Sequence, residues 1–63
     1  MFFAVKVNDG RAEIYDASNG SYQRSVGSDV VTAQVNGNVL QITKKDGSVE
    51  IYDANNGSYQ RSL

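Results

Sequence analysis

The sequence predicts an all-β protein, an antiparallel meander of about seven short strands drawn from a tandem 37-residue repeat. Three observations carry this. Asp9-Gly10, Asn19-Gly20, Asn36-Gly37, Asp46-Gly47 and Asn56-Gly57 punctuate the chain, and such pairs are the strongest short-range hairpin signals because type I′ turns need positive φ. The stretches between them are rich in β-branched and aromatic residues, with no helical periodicity and no Pro. Finally, residues 9–26, DGRAEIYDASNGSYQRSV, return at 46–63 as DGSVEIYDANNGSYQRSL, an offset of 37 residues.

The turns place strands at 2–7, 11–16, 21–26, 30–35, 39–44, 48–53 and 58–63, each about the usual six residues. The chain reads as a single domain, with a truncated repeat over 1–26 and a complete one over 27–63. A repeat of this period marks arrays in which one unit cannot bury its apolar face alone. The near-identity of the copies points to recent duplication or to design.

Alternation assigns the faces. One side carries Val31, Ala33 and Val35, then Leu40 and Ile42, Val49 and Ile51, and Tyr59 and Leu63, with Ala12, Ile14, Tyr22 and Val26 repeating the pattern. The other carries Thr32, Gln34, Gln41, Thr43, Glu50, Gln60 and Ser62, interrupted by Val30, Val39, Tyr15 and Tyr52. A half-apolar sheet must cover itself by curling into a barrel, folding as a sandwich or packing on a second chain. All three closures fit the pattern.

A chain of 63 residues buries only about 60% of its unfolded surface. Small domains make up the deficit with disulfides, metals or partner chains. With no Cys and no His, disulfides and the usual zinc ligands are excluded, which leaves association. The first and last strands end as open sheet edges that need covering, and a repeat makes its two ends complementary. A homo-oligomer is the expected state. Seven acids against six bases, with no basic cluster larger than Lys44-Lys45, argue against nucleic acid and anionic lipid as partners. No apolar run approaches the roughly 20 residues of a membrane helix, and no basic leader precedes one, so a soluble chain of open localisation is expected.

Residues 27–63, GSDVVTAQVNGNVLQITKKDGSVEIYDANNGSYQRSL, resemble one β-propeller blade of the tryptophan-aspartate repeat kind, and DGSVEIYDANNG is similar to pyrroloquinoline-quinone-type repeats. The resemblance implies an inner strand at 30–35, a second at 39–44, a third ending in Tyr52-Asp53 and an outer fourth at 58–63. Tyr15 and Tyr52 stand where that family has Trp, and Gly27-Ser28 where it has Gly-His. The family's hydrogen-bonded tetrad is therefore missing. A propeller needs at least about four blades, so the resemblance implies that several chains complete one ring.

Chemistry is sparse. Asp16 to Gly20 and Asp53 to Gly57 crowd oxygen donors into a turn, but their spacing suits Asx turns rather than a calcium loop, so no metal site is expected. Glu13 and Glu50 are equivalent by repeat and suit cross-strand pairing with Arg24, Arg61 or Lys44 better than a glycosidase pair. Without His or Cys there is no conventional partner for a nucleophile, so no catalytic residue and no cofactor are assigned.

The candidate binding residues are Tyr15, Tyr52, Tyr22, Tyr59, Arg24 and Arg61, because aromatic rings beside Arg make directional, stacking contacts. Tyr22 and Tyr59 are expected to serve mainly in the core, with Arg24 and Arg61 snorkelling at the rim. Tyr15 and Tyr52 have the better claim to a partner. The expected function is a non-enzymatic assembly module; the alternative is a small lectin-like or virus-borne binding domain that holds a glycan, nucleotide or protein on its repeated Tyr surfaces.

Overall fold

The computed structural model describes residues 2–63 and contains seven antiparallel strands and no helix. They are β1 (Phe3–Asn8), β2 (Arg11–Asp16), β3 (Tyr22–Val26), β4 (Val30–Asn36), β5 (Val39–Lys44), β6 (Val49–Asp53) and β7 (Tyr59–Ser62). The meander breaks once. β1-β2-β3 form one sheet and β4-β5-β6-β7 another, with no ladder between β3 and β4. At the break, Gly27 and Asp29 take φ of 77° and 53°, and the chain turns back so that the Val30 amide donates to the Gly10 carbonyl at 2.9 Å. The edge of β1 thus lies along β4, while β7 overhangs with all four residues exposed. The sheets share one core, Phe3, Ala12, Ile14 and Val26 from the first and Val30, Leu40, Ile42 and Ala54 from the second. They are not closed into a barrel.

The five Asx-Gly turns are not alike. Only Asp9-Gly10 is a two-residue loop with both φ positive, 57° and 75°. Asn36 pairs with Val39, so the next loop is Gly37-Asn38, with the positive φ on its first residue. Between β5 and β6 the loop holds three residues, Lys45 to Gly47, because the Gly47 amide donates to Lys44 O and the Lys44 amide to Ser48 O. Asn19-Gly20 and Asn56-Gly57 each end a four-residue turn.

The different loops have a large consequence. In the first sheet Ile14 lies opposite Val5 and Ala12 opposite Val7. In the second, Glu50 lies opposite Ile42 and Tyr52 opposite Leu40. The repeats are therefore paired one residue out of step, and such a slip moves every side chain to the other face. Alternation places Val49 and Ile51 with Leu40 and Ile42; the structure puts them on the opposite face, and Glu50 and Tyr52 on the core side. Ile51 is still buried, but outside the shared core.

Bulges correct three further assignments, because an extra residue reverses the alternation on one side of it. A bulge at Val31 turns Val30 inward, 5% exposed, and Val31 outward, 56% exposed. Bulges opposite Tyr15 and Tyr52 swing Tyr22 and Tyr59 away from the faces of Val26 and Leu63. Neither tyrosine is a core residue, at 55% and 54% exposure, and Leu63 is 75% exposed.

Candidate functional site

The hairpins β2–β3 and β6–β7 are duplicates in register, bulge and side-chain geometry. Tyr15 pairs with Tyr22 and Tyr52 with Tyr59, and each pair meets edge to face, with centroids 5.7 Å apart at 72° in the first and 5.6 Å at 74° in the second. Each inner tyrosine donates its hydroxyl to the carboxylate two residues back, Tyr15 to Glu13 and Tyr52 to Glu50, both at 2.9 Å. The repeat thus builds one Glu-Tyr-Tyr cluster twice.

The surroundings differ because of the slip. The first cluster lies on the face turned away from the core, where the Lys6 ammonium stands 5.9 Å from the Tyr15 ring centroid, within cation–π range. Its Tyr15 hydroxyl is pushed above the ordinary value of 10.0, chiefly because Glu13 holds its proton, with desolvation adding. The second cluster sits where the core runs out under β7. Tyr52 packs on the core, and its hydroxyl is raised first by burial and then by the Glu50 bond. Glu50 also meets Lys44 Nζ at 4.0 Å.

Of the six candidate residues, the structure thus brings the four tyrosines together as two pairs. The arginines lie on the opposite face of their hairpins, across from Ile14 and Ile51. Arg24 reaches between the sheets, its Nη1 donating to Ala54 O at 3.0 Å; Arg61 is exposed. Of the cross-strand pairings expected for the two glutamates, the structure contains Glu50 with Lys44. Arg24 faces away from Glu13, which takes Asn8 and Tyr15 instead.

The turn carboxylates are engaged locally. Asp16 accepts the Ser18 amide and hydroxyl, and Asp46 those of Ser48, which holds both acids below their ordinary range. Among the described residues no three carboxylates gather into a metal-holding group.

The outer face of β5–β7 carries a surface that strand alternation does not reveal. An open cleft of about 240 Å³ is lined by Val39, Ile51, Gln60 and Arg61, among others. Leu63 flanks Val49 on the same strands. The sequence difference that accompanies it is Ser48 where the first repeat has Arg11, a hydroxyl that bonds back to Asp46.

No curated protein matches the chain. The family model described as Helicobacter pylori IceA2 protein matches residues 1–63, the full length of the chain, which therefore belongs to the IceA2 family.

Proposed function

We propose that the protein is a non-enzymatic assembly module that joins copies of itself through its second sheet. The observation that carries this reading is β7. It is exposed along its whole length, among the described residues it is laddered on its β6 side alone, and the outer face of β5–β7 leaves Val39 and, just past β7, Leu63 in solvent. A sheet edge of this kind is a template for another chain, and a domain this small gains stability by being covered. The four-stranded meander β4–β7 has the strand number and order of a propeller blade, which supports a ring completed by several chains. Size-exclusion chromatography with light scattering tests the reading: an oligomer that dissociates on dilution is expected, and a folded monomer at every concentration overturns it.

A second reading rests on the first Glu-Tyr-Tyr cluster. Its rings are partly exposed beside a carboxylate and Lys6, a composition that suits a glycan or another small polar ligand. Tyr22→Ser tests it more cleanly than a change at Tyr52, which supports the core. A glycan whose binding survives Tyr22→Ser is not held there.

A further inference from the structure

Among the contacts that join the two repeats is one whose two halves the repeat has both duplicated. On one side is the face of β2–β3 carrying Arg24 and Val26. On the other is the turn after β6, where Ala54 is fully buried and offers its carbonyl to Arg24. Gly57 of that turn comes so close that a Cβ there would stand 3.0 Å from Arg24 Cδ and 3.4 Å from Val26 Cγ1.

The counterparts of both halves are bare. β6–β7 repeats the register and bulge of β2–β3, and places Arg61 and Leu63 where the first hairpin has Arg24 and Val26. Yet Leu63 is 75% exposed where Val26 is 8% exposed. The turn after β2 repeats the turn after β6: Gly20 donates to Asp16 O at 2.7 Å as Gly57 does to Asp53 O, and Asp16 to Ser21 O at 2.8 Å as Asp53 does to Ser58 O. Yet Ala17 and Gly20 are exposed. Among the described residues, one molecule therefore carries both an uncovered socket and an uncovered plug.

We propose that the β6–β7 face receives the 17–20 turn of a second copy of this chain, with the Arg61 guanidinium donating to the Ala17 carbonyl and Leu63 packing at Gly20. This rests on the assembly reading above and gives it a geometry. The two surfaces differ, so the contact is head-to-tail, and it extends into a filament or closes into a ring according to the rotation between copies.

Two blocked variants test it. R61E/L63D removes the socket and leaves the plug; A17W removes the plug, because its buried counterpart Ala54 leaves no room for a large side chain, and leaves the socket. Each alone is expected to lose the oligomer peak and run as a monomer with an unchanged circular dichroism spectrum. An equimolar mixture is expected to recover a dimer and nothing larger. R61A/L63S and A17L, milder changes at the same exposed positions, give the same pattern if a stronger variant fails to fold. Assembly of either folded variant alone at the wild-type level, or folded variants that do not pair on mixing, overturns the head-to-tail contact and leaves the assembly reading standing. A wild-type chain that is monomeric at every concentration removes both.

Discussion

The β1–β2 hairpin turns on Asp9 and Gly10 alone, whereas its repeat-mate β5–β6 uses Lys45, Asp46 and Gly47. The strands after the two loops are nearly the same, RAEIYD and SVEIYD, yet the first buries its Ile in the shared core and the second turns its Ile to the outside. The two loops differ two residues beyond each Asp. Ser48 gives its amide and hydroxyl to Asp46 at 2.9 and 2.6 Å, an Asx turn that keeps Asp46 out of the left-handed region. Arg11 has no hydroxyl to offer, and Asp9 takes the left-handed conformation with φ 57°. A side chain at the foot of a loop is thus expected to set which face of a neighbouring strand is wet.

The largest test of this contrast compares the two isoleucines. Ile14→Ala opens a cavity between the sheets and is expected to cost about 2–5 kcal/mol. Ile51→Ala lies on the outer face and is expected to cost about 1–2 kcal/mol in the dilute monomer. Urea unfolding of both variants decides it, and equal losses would falsify the slipped register.

The junction between the sheets comes next. A Cβ on Gly27 would stand 2.8 Å from Ile42 Cδ1 and 2.9 Å from Val30 Cγ2, at a φ of +77° that side chains resist. Gly27→Ala is expected to cost about 1–3 kcal/mol through overpacking and strain. Because Gly20 is as left-handed but meets nothing within 4 Å, Gly20→Ala should cost less, and thermal unfolding of the pair separates crowding from backbone strain.

A gentler perturbation edits the loop itself. The double change Lys45→Asn and Ser48→Arg copies the first loop into the second, and is expected to shorten it and move Glu50 and Tyr52 off the core side, at a cost of about 1 kcal/mol. Cross-strand NOEs report the result: retention of the Leu40–Tyr52 pairing means that the core, not the loop, sets the register.

The smallest effect is a titration. Glu13→Gln should lower the Tyr15 hydroxyl toward its ordinary value, because the Glu13 bond is the leading cause of its shift; Glu50→Gln should leave the Tyr52 hydroxyl still raised, because burial leads there. Both folded values lie above the unfolded one, so the stability they contribute is present below pH 10.0 and is lost as pH rises through the folded values. Tyrosinate absorbance during a pH titration follows each step.

Strand number and the approximate places of strands and turns were legible, since Asx-Gly pairs and β-branched runs are local signals. Within sheet 1, the burial of Ala12, Ile14 and Val26 was legible too. What was not legible depends on single-residue offsets. A bulge at Val31, bulges opposite Tyr15 and Tyr52 and a third loop residue before Ser48 each reverse a face, and alternation counted along one strand contains no trace of its partner's register. The tyrosines were identified as candidates, but their pairing across the hairpins depends on those same bulges. The division into two sheets was hidden as well, because it hangs on Gly27 and Asp29 rather than on any apolar pattern.

Among the described residues, every hydrogen-bonded ladder joins strands adjacent in sequence. No distant segments must find each other before pairing begins, so loop closure costs little at each step, and hairpins of this kind zip in about 1–10 μs. Docking of the two finished sheets is then the event with long sequence separation, and on topology it is the step expected to limit the folding rate. β7 lies outside that docked region, so its amides should exchange with solvent through local fraying, while those of β2 and β5 wait for the sheets to part.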